Sequence, residues 1–185
     1  RLGQPMKPGE ERQFLRALAQ HNVHGLTTAS DDPGLDGWGL GLAVAEHRIR
    51  KMMLGRAVGN ADFPRQLLAG EIDAEFVPLG TLTERVRAAG AGIPAFYTPT
   101  GVGTVVAEGK EVREFDGRQY LLERALLGDF ALIAAWRGDR MGNLIYRKSA
   151  RNTNPLMASG SKICIAEVEE LVEVGSLDPE NVHTP

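Results

Sequence analysis

The sequence predicts an α/β fold: a mainly parallel sheet flanked by helices, followed by a second half rich in β-hairpins. Three observations carry this. Up to Gly90, segments of helical and strand-like apolar period alternate, the pattern of a parallel sheet with helical crossovers. After Gly90, short extended runs are separated by "EGK" and "DG", which are hairpin signals. The stretch "DFALIAAW" is a near-continuous apolar run, expected of a central strand covered on both faces.

The elements follow in order. Phe14, Leu15 and Leu18 mark one face of a first helix in "PGEERQFLRALAQ", with Pro8 near its start and glutamates in its first turn. "HGLTTAS" reads as a strand entering the loop "DDPGLDGWG". "LGLAVAEHR" is a short helix, "IRKMMLG" a strand, "DFPRQLLAGE" a helix and "IDAEFVP" extended. Thr81 and Glu84 have capping-box spacing, with Leu82, Val86 and Ala89 as the apolar stripe and Gly90 as the stop. "TVVAEGKEVREFDGRQYLLE" supplies hairpin strands, and "RGDRMGN" a polar turn after "DFALIAAW". "NPLMASG" starts a helix with Asn154 as cap and Pro155 at its first position. "KICIAEVEELVEVG" adds one strand or two. No repeat or linker interrupts residues 1–185, so a single domain is expected.

Composition narrows the function classes. With 43% hydrophobic residues among 185, one good core can form. A formal net charge of −3 provides no basic field for nucleic acid. No apolar run approaches a membrane span and no signal peptide begins the chain, so no membrane partner and a cytoplasmic location are expected. The single cysteine, Cys164, cannot form an internal disulfide and reads as a buried structural thiol.

Motif tests remove several chemistries. In "TPTGVGTVVAEGKE", Gly103 and Gly109 enclose one residue too many for a phosphate loop, and Lys110 is followed by Glu111 rather than a hydroxyl. The dinucleotide fingerprint fails as well, because Val106 stands where the third glycine belongs. His21 and His24 have no cysteine or carboxylate at metal-site spacing, and solvated or capping roles are expected. The acidic run "AEVEELVE" alternates carboxylates with apolar residues, as a strand with one solvated face does. No serine has a nucleophile-elbow context. Side-chain chemistry alone supplies no nucleophile or general base.

Longer stretches carry a resemblance. "GTLTERVRAAGAGIPAFYTPTGVGTVVAEGKE", "REFDGRQYLLERAL", "GDFALIAAWRGDRMGNLIYRKSARNTNP" and "IAEVEELVEVGSLDPENVHTP" resemble the α (A) subunit of family I coenzyme A transferases, in the 3-oxoacid (succinyl-CoA:acetoacetate) group. "LDGWGLGLAVAEHRIRKMM" and "FPRQLLAGEIDAEFVPLGTL" extend the resemblance to roughly residues 15–185. It implies a CoA-transferase-like fold and CoA exchange between short carboxylic acids through a glutamyl-CoA thioester. It also implies that the attacking glutamate lies in a β partner, so no catalytic residue is expected in this chain. Coenzyme A thioester is expected as substrate, with no permanently bound cofactor and no metal. An αβ unit doubled to α2β2 is expected, with "RKSARNTNP" and its Arg147, Lys148 and Arg151 as a candidate contact segment. Substrate contacts are expected at Leu79, Gly80, Thr98, Gly101, Gly103 and Thr104. The glycines allow a backbone to approach a ligand closely, or they satisfy a tight turn; both readings stay open.

Two departures qualify the resemblance. Family α subunits begin with a strand leading into a Gly-Gly-Phe loop linked to CoA binding, whereas this chain starts at Arg1 and keeps at most the end of that loop at Gly3-Gln4-Pro5. The expectation is that the N-terminal strand and Gly-rich loop are missing, through an absent N-terminus or a lost element. Leu79 stands where the family usually has Gln, and leucine cannot donate a hydrogen bond. Uncompensated, that loss weakens oxyanion stabilisation by about 2–4 kcal/mol; alternatively it makes the acyl pocket more apolar. Impaired or redirected acyl-CoA chemistry in a partner-stabilising subunit is the alternative function.

Overall fold

In the computed structural model, residues 17, 18 and 20–185 are described. Backbone contacts group them into two compact units. One holds the described residues up to Leu82 together with Ala95–Glu123; the other holds Thr83–Pro94 and Arg124–Pro185.

In the first unit, strands β1 (Leu26–Ser30), β2 (Ile49–Leu54) and β3 (Asp73–Phe76) form a parallel sheet in the order β1-β2-β3. Helix α1 (Leu40–Ala45) connects β1 to β2, and α2 (Asp62–Leu68) connects β2 to β3. Parallel pairing requires such crossovers. Ala43 and Val44 of α1, Phe63 of α2, Met52 and Leu54 of β2, and Ile72 form one buried cluster. Gln66 is buried with them, and its Nε2 donates to the Val44 carbonyl at 2.7 Å. The expected strand and helix order is therefore present from Leu26 to Phe76. The first expected helix, with Pro8, Phe14 and Leu15, lies outside the described residues, apart from helical Ala17, Leu18 and Gln20. Gly3-Gln4-Pro5 lies outside them too.

The same unit carries a second sheet in the order β4-β6-β5, from β4 (Ala95–Thr98), β5 (Val112–Phe115) and β6 (Arg118–Arg124). β5 and β6 are the hairpin that "DG" signalled. Asp116 and Gly117 turn it with φ of 51° and 75°, the two positive angles of a type I′ turn. "TVVA" departs from expectation: Val105–Ala107 is a 3-10 turn, capped by Thr104, rather than a strand.

Helix α3 (Leu79–Gly90) begins two residues before the expected cap. Thr81 is buried inside its first turn, and Glu84 pairs with Arg87 at 2.7 Å instead of reaching back. The capping box is thus replaced by an i,i+3 ion pair, because the helix has already started from Pro78, whose carbonyl accepts the Leu82 amide.

In the second unit, β7 (Gly128–Asp139) lies between β8 (Leu144–Ile145) and β9 (Ser161–Val172), antiparallel to the first and parallel to the second. Helix α4 (Asn154–Ser159) connects β8 to β9, and its Met157 and Ala158 pack on Ala131, Ile133 and Ala135. β7 is central, but one of its faces is open at the start of the strand: Phe130 and Leu132 are 62% and 38% exposed. An apolar run thus reports a strand without reporting how many faces are packed. Asn154 is not the cap of α4 but its first residue. Its Oδ1 accepts the Ala134 amide at 3.1 Å and its Nδ2 donates to the Ala150 carbonyl at 2.7 Å. Cys164 is exposed rather than buried, since it lies on the outer strand β9. Partial desolvation still raises its pKa, which disfavours a reactive thiolate.

The final residues strap onto β8. Thr184 bridges Leu144, His183 Nδ1 accepts the Tyr146 amide at 2.9 Å, and the Tyr146 and His183 rings stack. Desolvation, then the charge of Arg151, holds His183 below its ordinary pKa of 6.5. The unfolded chain therefore binds the proton more readily than the strap. The contribution of His183 is complete above pH 6.5 and is lost as pH falls through the depressed folded value. Amide exchange at Tyr146, corrected for intrinsic rate, should show lower protection at pH 5 than at pH 7.5; equal protection would contradict this role.

Candidate functional site

Parallel strands end on a common edge, where the loops that follow them gather. Here β1, β2 and β3 end at Ser30, Leu54 and Phe76, with Ser30 and Leu54 in register. The residues just beyond them come together at this edge. Both the Gly55 and Arg56 amides donate to the Asp31 carbonyl, at 3.0 and 3.1 Å. The Arg56 guanidinium donates from Nη2 to Asp31 Oδ2 at 2.7 Å and to Asp32 Oδ2 at 3.3 Å. Asp32 Oδ1 accepts the Gly34 amide at 3.0 Å, closing the turn below it.

Leu79, the first residue of α3, stands at this edge and is 38% exposed. A Cβ on Gly55 would lie 3.3 Å from both Leu79 Cβ and Asp31 Oδ1. Gly55 therefore leaves bare backbone between a carboxylate and an aliphatic side chain. Gly80 follows on the exposed start of α3, with open space where its Cβ would stand.

The other expected positions gather on the loop after β4. Thr98 ends the strand, and its Oγ1 accepts the Thr100 amide at 3.3 Å. Thr104 Oγ1 donates to the Gly101 carbonyl at 2.8 Å and accepts the Val106 amide at 3.2 Å, so these residues tie one turn. Gly101 and Gly103 have φ of +89° and +74°. Their surroundings differ: a Cβ at Gly101 would meet Val106 Cγ1 at 2.8 Å, whereas one at Gly103 would meet nothing within 4 Å. Gly101→Ala should therefore cost about 2 kcal/mol through crowding and strain together, and Gly103→Ala about 1 kcal/mol through φ alone. Urea denaturation of the two variants measures this; a larger loss at Gly103 would reverse the assignment.

Beside this loop, the Tyr97 hydroxyl donates to Glu111 Oε1 at 2.5 Å, and Arg113 reaches the same oxygen at 2.7 Å. The shared hydrogen bond raises the pKa of Tyr97 and lowers that of Glu111, so the phenol stays a donor at neutral pH. Lys110, the apparent phosphate lysine, instead pairs with the buried Glu123 at 2.5 Å. That contact agrees with the failed phosphate-loop spacing.

Two sequence expectations in the second unit also have a location. Glu169 and Glu170 of the acidic run pair with Arg147 and Arg137, so neither carboxylate stands free. Arg147 of "RKSARNTNP" is committed to that pair and lies over the Trp136 ring, whereas Lys148 and Arg151 are exposed. His24 is exposed and bonds Asn22 at 2.8 Å. Among the described residues, no cluster of three His, Cys, Asp or Glu could hold a metal ion, and no helix is long and apolar enough to cross a membrane.

Sequence reasoning did not identify Asp31, Asp32 and Arg56. The available signals were the "DDPG" turn at the end of one strand and an arginine two residues past the end of the next. Only the register of β1 on β2 brings them together.

Comparison with known proteins gives a consistent result. The family model described as coenzyme A transferase matches residues 11–185. The chain is 56% identical to the α (A) subunit of succinyl-CoA:3-ketoacid coenzyme A transferase from Xanthomonas campestris, over 96% of this chain and 73% of that one. It is 53% identical to the probable α (A) subunit of that enzyme from Bacillus subtilis, over 96% and 74%. Among solved structures, an acyl-CoA transferase from Escherichia coli O157:H7, in a thioester complex with CoA, superposes with a TM-score of 0.80 at 22% identity. That match covers 93% of this chain and 39% of the other. Glutaconate coenzyme A-transferase from Acidaminococcus fermentans gives 0.75 at 15% identity, covering 92% and 62%. These two structural likenesses establish the fold, and the chain spans less than two thirds of either protein.

Proposed function

The chain belongs to the coenzyme A transferase family, and from that premise we propose that it is the α (A) subunit of a 3-oxoacid CoA-transferase. It works on short carboxylic acids of the succinyl-CoA and acetoacetate kind, together with a β (B) partner. The observation that carries this reading is 53–56% identity, across 96% of the chain, to proteins named as the α (A) subunit of such an enzyme. The cluster at the strand ends is consistent with it. Its two carboxylates, Asp31 and Asp32, pair with Arg56, and Leu79 and the Gly55 backbone lie beside them.

In this reading the nucleophile is a glutamate of the β partner. Its carboxylate attacks the acyl-CoA carbonyl and expels the CoA thiolate, leaving a mixed anhydride. The thiolate then attacks the glutamyl carbonyl, forming the enzyme thioester and releasing the first acid. The incoming acid reverses both steps. Coenzyme A is thus a substrate, and binding energy from its tail supports the unfavourable steps. Residues 1–185 act as one subunit domain, in the cytoplasm, within an α2β2 assembly whose αβ interface is at least ~2,000 Å². Substrate contacts fall on Leu79 and Gly80 at the start of α3 and on Thr98, Gly101, Gly103 and Thr104 at the loop. Leu79 alone favours the second reading, a subunit with impaired or redirected acyl-CoA chemistry, because its side chain supplies no donor.

Co-expression with the β partner tests the assignment. The isolated α chain should transfer no CoA, and the αβ complex should do so. Hydroxylamine trapping after acyl-CoA incubation should modify one glutamate of the β partner. A covalent CoA adduct on this chain would overturn the division of roles.

A further inference from the structure

Resting on the reading of the chain as one subunit of an αβ transferase, we propose that the exposed face of the β4-β6-β5 sheet is where the β partner docks, and that the partner meets it with carboxylates around an apolar centre. β5 and β6 pair with Arg113 opposite Tyr120 and Phe115 opposite Arg118. Residues directly opposite each other in an antiparallel pair share a face, as do residues two apart on one strand. All four side chains therefore stand on one side of the sheet. Leu121 and Glu123 lie on the other side and are almost fully buried, so that side is the covered one. The exposed side is already ordered. Phe115, 41% exposed, meets the Tyr97 and Tyr120 rings edge-on, at centroid distances of 5.1 and 5.6 Å. Arg113 lies over Tyr97, and Arg118 over Tyr120.

Three rings set against each other and flanked by two arginines leave little side-chain entropy to lose on association. Aromatic residues and arginine are also the types that concentrate at the centre of protein interfaces. A small ligand, by contrast, is held in a concave site that surrounds it, which one exposed sheet face does not provide. Charge and position decide the partner. Arg113 donates from Nη2 to Glu111 at 2.7 Å, while Arg118 has no ion pair among the described residues, so the patch is net positive. A second copy of this chain, docked face to face, would set arginines against arginines. A partner bearing carboxylates meets the same patch with complementary charge. β4 runs from Tyr97 directly into Thr98 and the loop of Gly101, Gly103 and Thr104. In the proposed activity the nucleophile arrives on the β partner and must stay fixed beside that loop during transfer. The partner that reaches the loop is thus the one placed to cover the sheet face leading into it.

The test is subunit exchange: reconstituted αβ complexes of wild-type or variant α chain are chased with excess labelled wild-type α chain. Arg118→Glu reverses one exposed charge and should speed release of the α chain at least about thirtyfold, the loss expected at an interface centre. Phe115→Leu, which keeps an apolar side chain over the hairpin, should speed it about tenfold. Arg140→Glu, at an exposed arginine in the turn between β7 and β8, should stay within about threefold of wild type. Release unchanged by both Arg118→Glu and Phe115→Leu, or hastened equally by Arg140→Glu, would overturn the inference and leave the transferase reading standing. A dimer of the α chain alone that Arg118→Glu dissociates would assign the face to a second copy and overturn it as well. No αβ complex and no CoA transfer with the wild-type chains would overturn both.

Discussion

Replacing Lys110 by methionine is expected to destabilise the first unit by about 3–5 kcal/mol, the usual cost of leaving a buried charge without its partner. Glu123 is only 2% exposed and its one ion-pair partner among the described residues is Lys110, at 2.5 Å. Both belong to the hairpin sheet, Lys110 just before β5 and Glu123 near the end of β6. Methionine keeps the aliphatic bulk and removes the charge, so packing loss contributes little. In a chain of this size the change corresponds to a fall in Tm of about 10 °C. The double variant Lys110→Met/Glu123→Leu should recover most of the loss, since an apolar pair of similar volume replaces a buried ion pair at little cost. A single variant within about 0.5 kcal/mol of wild type would show that water reaches Glu123.

Gly41→Ala is expected to cost about 3 kcal/mol or more, in the upper range for overpacking. An alanine Cβ there would stand 1.9 Å from the Leu35 carbonyl oxygen and 2.9 Å from its carbon. Backbone cannot rotate aside as a side-chain tip can. On the other side of this contact, Gly34 has φ +81°, and a Cβ there would lie 2.4 Å from the Gly41 amide nitrogen. The loop that carries Asp31 and Asp32 is thus pressed against α1 through two glycines. Relieving the clash must move that loop, so CoA transfer should fall together with stability. Gly80→Ala is the control: nothing lies within 4 Å of its Cβ, and helix propensity alone predicts a gain of up to about 1 kcal/mol. Chemical denaturation of the two variants should give changes of opposite sign. A Gly41→Ala protein as stable as wild type would mean the loop shifts freely away from α1.

The sequence by itself determined the order and type of most elements and one turn in detail. Alternating periods between Leu26 and Phe76, and the Asp116-Gly117 pair, act within a few residues, where backbone sterics and local apolar spacing suffice. Its motif resemblance also led to the family, through long ordered matches that need no coordinates. Elements set by their neighbours were less legible. Thr81 has capping spacing, yet the helix begins earlier at Leu79. The apolar run of β7 leaves Phe130 and Leu132 exposed, and Cys164 is exposed, because burial depends on what packs from outside the segment. The candidate site depended still more on tertiary structure. Arg56 and Asp31 are 25 residues apart and meet because β1 and β2 pair in parallel with Ser30 against Leu54. Lys110 and Glu123 meet through the pairing of β5 with β6. An ion pair or a donor set is a distance between side chains. In a folded chain that distance is set by strand register and close backbone contact, neither of which is written in any local stretch of residues.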